Sequence, residues 1–139
     1  MAYETETSLL YNKTYLEIAG TIAKLSKAER KKVGAVIVKE GNILSFGFNG
    51  TPKGFPNPCE ENSKTLVEVL HAESNAITKL AKSTQSSEGA TLFVTCEPCI
   101  ECSKLIIQAG IKEVHYSENY HSPGSTLLQK ANIKVVKHD

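Results

Sequence analysis

Thr91-Leu-Phe-Val-Thr-Cys-Glu-Pro-Cys-Ile-Glu-Cys-Ser-Lys-Leu-Ile-Ile-Gln-Ala-Gly110 changes its period halfway along. Its first six residues are β-branched and apolar enough for a strand over 91–96. Pro98 fits the first turn of a helix, where its missing N–H would have no partner. That helix runs to Ala109, and Gly110 suits its C-terminal stop. A strand feeding directly into a helix is half of an α/β unit.

The neighbouring segments extend the pattern on both sides. Downstream, Val114-His-Tyr116 and Ile133-Lys-Val-Val136 read as short strands, and residues 121–131 supply a turn and a helix between them. A crossover of that kind makes the two strands parallel. Upstream, residues 66–82 read as a helix with Leu66, Val69, Leu70, Ala72, Ala76 and Leu80 apolar, followed by a polar loop over 83–89. Residues 49–65 hold three of the five prolines and read as a loop. At that length a loop is functional or mobile. Val33-Gly-Ala-Val-Ile-Val38 and Ile43-Leu-Ser-Phe-Gly-Phe48 pair as a hairpin through a turn at Gly41-Asn42. Tyr15, Ile18, Ala19, Ile22 and Leu25 recur on one face of a helix over 9–25. The order α-β-β-α-β-α-β-α-β describes an α/β sandwich around one mixed sheet. The 139 residues are expected to form a single domain.

Composition narrows the class. Apolar residues make up 40% and charged residues 22%, which suits a folded core. Sixteen cations against fifteen anions leave +1, which argues against a uniform face for a nucleic-acid polymer. Five of the 16 cations, Lys24, Lys27, Arg30, Lys31 and Lys32, nevertheless fall within one short stretch, which suits a small phosphate-bearing ligand. No apolar stretch is long enough for a membrane span. The acidic start Met1-Ala-Tyr-Glu-Thr-Glu-Thr7 lacks the basic and apolar regions of a signal peptide. These features predict a cytoplasmic protein with no membrane and no nucleic-acid partner.

Three of the four cysteines, Cys96, Cys99 and Cys102, are crowded together, and Cys59 stands alone in the long loop. In a reducing compartment such crowding indicates a metal or catalytic site rather than disulfides. Cys99 and Cys102 share one face of the first turn of their helix, whose N-terminal partial charge favours thiolates. His71 adds a nitrogen from another helix. One His and two Cys make three ligands, the number with which catalytic zinc keeps a position for water. Glu73, two residues from His71, is placed to carry protons. The arrangement His-x-Glu followed by Pro-Cys-x-x-Cys is the general zinc nucleobase deaminase signature. Cys96 is a competing fourth ligand, but it ends the strand and should point away from the helix face. Cys59 reads as a thiol rather than a metal ligand, and His115, His121 and His138 as packed or solvated histidines.

These pieces together resemble the cytidine deaminase superfamily, and within it the deoxycytidylate branch. The matching text is Val33-Gly-Ala-Val-Ile-Val38, Gly47-Phe-Asn-Gly-Thr-Pro-Lys-Gly54, His71-Ala-Glu-Ser-Asn-Ala-Ile77, Thr95-Cys-Glu-Pro-Cys-Ile-Glu-Cys102 and Lys104-Leu-Ile-Ile-Gln-Ala-Gly-Ile-Lys-Glu-Val114. The resemblance implies a three-layer sandwich with a five-stranded mixed sheet and helices on both faces. It implies hydrolysis of dCMP to dUMP for thymidylate synthesis, in a hexamer activated by dCTP and inhibited by dTTP. His71, Cys99 and Cys102 match the Zn²⁺ ligands and Glu73 the proton shuttle. Ser26 and Lys27 match positions near the monophosphate, Asn49 the nucleoside-binding asparagine, and Ala72 and Tyr120 further substrate contacts. Gly50, Thr51, Lys53, Gly54 and Phe55 match the effector region, with Mg²⁺ expected on a bound triphosphate. Lys27, Arg30, Lys31 and Lys32 are alternative phosphate contacts, because the branch's usual cysteine-arginine text is replaced here by Ala28-Glu-Arg-Lys-Lys32. The alternatives are deamination of dCTP or another cytosine nucleotide, a tRNA adenosine or guanine type of deaminase (which shares the Glu-Pro-Cys text), and a non-catalytic zinc or nucleotide-binding module.

Overall fold

The structure, a computed structural model, describes residues 5–56 and 58–139. Helix α1 spans Glu6–Ala23 and begins ahead of the apolar stripe that predicted 9–25. Its start is set by a capping box: the Thr5 hydroxyl accepts from the Ser8 N–H at 3.0 Å, and the Thr5 N–H donates to the Ser8 hydroxyl at 2.9 Å. The helix ends before Leu25, which lies exposed. Strands β1 (Gly34–Lys39) and β2 (Asn42–Phe48) pair antiparallel. Their turn is at Glu40-Gly41, one residue earlier than expected, with φ of 50° and 79°. Two left-handed residues match the right-handed twist of a hairpin.

Two segments depart from the sequence reading. Residues 49–65 are not loop throughout, because β3 (Glu60–Glu61) and β4 (Lys64–Thr65) form a small hairpin. Its corner residues Asn62 and Ser63 have φ of 53° and 64°. The helix expected over 66–82 is confined to α2, Ala72–Ala81. Leu70 exchanges both backbone hydrogen bonds with Gly50, at 2.8 and 3.1 Å, so its N–H and C=O are committed to a bridge. The apolar residues before it do not continue the α2 face, and Val67 is 99% exposed.

Beyond α2 come β5 (Thr91–Cys96), α3 (Ile100–Gln108), β6 (Glu113–Glu118), α4 (Ser125–Lys130) and β7 (Lys134–Lys137). The main sheet has the order β2-β1-β5-β6-β7. β1 is antiparallel to both neighbours, whereas β5, β6 and β7 are parallel, as the crossover through α4 requires. Alternation along β1 divides the core between two faces. Ala35 and Ile37 pack with Ala76 and Leu80 of α2, Ile106 of α3 and Leu128 of α4. Val36 and Val38 pack with Phe93 of β5 and with Ala19 of α1. The fold is therefore the expected three-layer α/β sandwich with one five-stranded mixed sheet. A strand covered on both faces has no polar side, which is why β1 and β5 read as nearly continuous apolar runs.

The start of α2 is pressed onto β2 at Gly47. A Cβ there would meet the Ala72 carbonyl oxygen at 2.5 Å and the Ala76 nitrogen at 2.6 Å. This close approach, and the chain leaving β5 at Cys96, bring the N-termini of α2 and α3 together beyond the carboxyl end of β5. Ligand sites of open α/β sheets form in such places.

Candidate active site

His71 is the N-cap of α2, with extended backbone at φ −74° and ψ 159°. Cys99 is the N-cap of α3, and its sulfur accepts the Cys102 N–H at 3.4 Å. Pro98 therefore precedes the cap instead of occupying the first turn. The two helix starts converge: His71 Nδ1 lies 3.6 Å from Cys99 Sγ and 3.4 Å from Cys102 Sγ. One ligand atom from each of the three falls within 4.8 Å of the others, a group that could hold a metal ion. One imidazole and two thiols are a donor set suited to zinc. Cys96 is buried at the end of β5 and is not part of this group.

Electrostatics at Cys102 differ from the expectation of a thiol acidified by the helix N-terminus. Burial pushes the Cys102 thiol far up, reinforced by nearby Glu73 and Cys99. Burial also pushes Cys96 up to about 11, against the opposing pull of Lys31. Glu73, in the first turn of α2, is 4% exposed. Burial raises its carboxyl from 4.5 to about 7, and a backbone hydrogen bond opposes this more weakly.

His71, Cys99, Cys96 and Glu73 border an open-sided cavity of about 120 Å³, and Cys102 lies outside its lining. His71, Ala72, Glu73, Cys96, Glu97 and Cys99 form the chemical end, and Asn49, Val33, Thr65, Val69, Tyr120 and Lys31 the rest. The fold thus brings Asn49, Ala72 and Tyr120 to the cavity with the candidate ligands and Glu73. Asn49 is held by its own amide, which accepts from the Val33 N–H at 2.9 Å and donates to the Lys31 carbonyl at 2.8 Å. Ser26 and Lys27 lie outside the lining. Ser26 is buried, and its hydroxyl donates to the Asn49 carbonyl at 2.7 Å. Of the four alternative cations, Lys31 is the one that reaches the lining. Its ammonium meets Glu118 at 2.7 Å, and that hydrogen bond raises its pKa.

The Gly50–Phe55 stretch is not part of this lining. Gly50 is fixed by its bridge to Leu70, the Thr51 hydroxyl donates to the Pro56 carbonyl at 2.9 Å, and the Phe55 N–H donates to the Pro52 carbonyl at 3.0 Å. Lys53, Gly54 and Phe55 are exposed. Cys59 is buried, and its thiol is raised by burial and by Glu60. His115 is packed in the core, stacked on Phe93 at 4.7 Å and bonded to Glu113 and to His138. His121 stands against the Tyr120 ring at 4.2 Å. Thr65, Val69 and Glu97 line the cavity without having been singled out from the sequence. The first two depend on the unforeseen hairpin and bridge. Glu97 was signalled only by the polar text between Cys96 and Pro98. Among the described residues, no helix is long and apolar enough to cross a membrane.

Comparison with known proteins agrees with this geometry. A model of the family "Cytidine and deoxycytidylate deaminase zinc-binding region" matches residues 11–118. The deoxycytidylate deaminase of Enterobacteria phage T4 is 33% identical over 167 residues, covering 88% of this chain and 86% of the relative. ComE operon protein 2 of Bacillus subtilis is 34% identical over 131 residues, covering 90% of this chain and 69% of the relative. Among solved structures, the dCMP deaminase of cyanophage S-TIM5 in complex with dCMP and dUMP superposes with a TM-score of 0.92 at 42% identity, covering 98% of this chain and 100% of that one. The chain belongs to the cytidine and deoxycytidylate deaminase family, whose members are zinc-dependent hydrolytic deaminases.

Proposed function

We propose that this chain, acting as one domain, hydrolyses dCMP to dUMP and ammonia. The observation that carries the reading is the buried Glu73 carboxyl in one cavity with His71 and Cys99, which converge with Cys102. The S-TIM5 enzyme, described in complex with dCMP and dUMP, supports the choice of nucleotide. His71, Cys99 and Cys102 would hold zinc. Zinc with three protein ligands lowers the pKa of water in its open position to near 7.

Glu73 then performs the proton work. Its carboxyl, raised to about 7, takes and returns protons near neutrality. Water oxygen adds to C4 of the cytosine ring, and the bond from C4 to the amino nitrogen breaks. One water proton ends on ring N3 and the other on the departing ammonia, each carried by Glu73. Asn49 retains one lone pair and one N–H beyond its bonds to Val33 and Lys31, enough to receive and give a hydrogen bond at a sugar hydroxyl. Ser26 acts through Asn49 by fixing its carbonyl. Lys31, with Lys27 nearby in the chain, supplies positive charge for the phosphate. Ala72 walls the base end, and Tyr120 contacts the substrate from the rest of the cavity lining.

The resemblance to the deoxycytidylate branch extends the reading to thymidylate supply in the cytoplasm, a hexameric assembly, and control by dCTP and dTTP at Gly50–Phe55 with Mg²⁺ on the triphosphate. The test is turnover of dCMP, CMP, dCTP and deoxycytidine by zinc-loaded protein, with and without the two triphosphates. Selective loss of the amino group from dCMP is expected. No turnover of any cytosine nucleotide would overturn the reading.

A further inference from the structure

We propose that Glu97 is a positioning residue whose buried carboxylate fastens residues 119–125 to the loop carrying Cys99, and so sets Tyr120 against the cavity. This rests on the reading of that cavity as a nucleotide site. Glu97 is 8% exposed and lines the cavity, yet the proton transfers assigned to Glu73 do not use it. A buried carboxylate has to be met by donors. One oxygen accepts the Tyr120 backbone N–H at 3.2 Å, and the other accepts the Ser125 hydroxyl. Both donors are neutral and both come from the same short segment.

The backbone reinforces this tie. The Gly124 N–H donates to the Pro98 carbonyl at 2.8 Å, and Cys99 and Pro123 form a bridge. The approach at Gly124 leaves no space for a side chain: a Cβ there would meet Ser103 Oγ at 2.2 Å and the Cys99 carbonyl oxygen at 2.6 Å. The segment bearing Tyr120 is therefore seated on the start of α3. The side-chain bonds that hold its two ends, at residues 120 and 125, converge on Glu97. A glutamine can reproduce them, because its carbonyl accepts from the Tyr120 N–H and its amide donates to the serine oxygen. Alanine removes both.

The experiment compares Glu97→Ala, Glu97→Gln, Tyr120→Ala and the Glu97→Ala/Tyr120→Ala pair as zinc-loaded full chains. Expected for Glu97→Ala are a KM for dCMP raised roughly tenfold, a kcat within about threefold, and zinc content unchanged. Glu97→Gln should restore KM to within about threefold, and adding Glu97→Ala to Tyr120→Ala should change nothing further. Multiplying effects in the double variant, a glutamine variant as impaired as alanine, or lost zinc would overturn the proposal. A second readout needs no turnover. In protein labelled with 3-fluorotyrosine, the Tyr120 fluorine resonance, assigned by its absence from Tyr120→Phe, should move in Glu97→Ala and stay in place in Glu97→Gln. An unmoved resonance in Glu97→Ala refutes the brace even if dCMP is turned over. A moved resonance without dCMP turnover by wild type supports the brace and refutes the substrate reading. Ser125→Ala removes one of the two donors, should move the same resonance, and replaces Glu97→Ala if that variant does not fold.

Discussion

Glu73→Gln should produce a protein that is more stable and far less active. The substitution keeps the size and shape of a fully buried side chain and removes its ability to exchange protons. Wild-type Glu73 has its carboxyl raised from 4.5 to about 7 by burial. At 1.36 kcal/mol per unit, holding it ionised in the native state costs about 3 kcal/mol. The sign follows from proton counting. Between those two values the unfolded chain releases the proton while the native chain keeps it, so native stability falls as pH rises. Below about pH 4 both states are protonated and the cost vanishes. Urea unfolding of zinc-free protein, in which no cation favours the carboxylate, should show Glu73→Gln level with wild type at pH 4. By pH 8 the variant should be more stable by about 3 kcal/mol. The zinc-loaded variant should lose about 10²- to 10⁴-fold in dCMP turnover. Equal or lower stability at pH 8 would refute the buried, desolvated carboxyl. Retention of more than about a tenth of the turnover would refute its proton role.

Lys31→Ala should raise the KM for dCMP roughly tenfold and leave deoxycytidine unaffected. Its stability should change by less than about 1 kcal/mol, because the Lys31–Glu118 pair is 45% and 58% exposed. An equal effect on both substrates would remove the phosphate role. Metal analysis should find about one zinc per chain in wild type and in Cys96→Ser, and far less in Cys99→Ser or Cys102→Ser, because Cys96 lies outside the converging group. Glu113 is held below its usual 4.5, first by its hydrogen bond to His115. Its contribution is therefore full above pH 4.5 and lost as pH falls through the native value. Unfolding curves of Glu113→Gln and wild type should differ at neutral pH and converge in acid; a gap independent of pH would assign the effect to packing.

Legibility tracked the range of the interactions involved. The runs that became β1, β5 and α3 declare themselves locally, because strands buried on both faces carry no polar alternation and α3 has a glycine stop. His71, Glu73, Cys99 and Cys102 form a short spaced pattern, so their meeting was foreseeable from chain order. The misreadings share a different cause. Leu66, Val69 and Leu70 look like the beginning of α2, but the Gly50–Leu70 bridge uses the backbone groups that a helix would need. The β3–β4 hairpin is anchored by the Glu60 carboxylate, which accepts the Glu29 and Arg30 N–H groups at 3.0 and 3.2 Å. Neither partner is near in sequence. The four basic residues Lys27, Arg30, Lys31 and Lys32 are indistinguishable by type. Which of them reaches the cavity is decided by how the chain turns after Ser26, and that turn brings Lys31 to the lining. Thiol acidity was misjudged at Cys102 because helix position is visible in a sequence and burial depth is not.

The most direct measurement is the rate of dUMP and ammonia release from dCMP as zinc is returned stepwise to chelated protein. The account predicts no release without metal, a linear rise to about one zinc per chain, and a plateau beyond it. Undiminished release from zinc-free protein, or none at one zinc per chain, would contradict it.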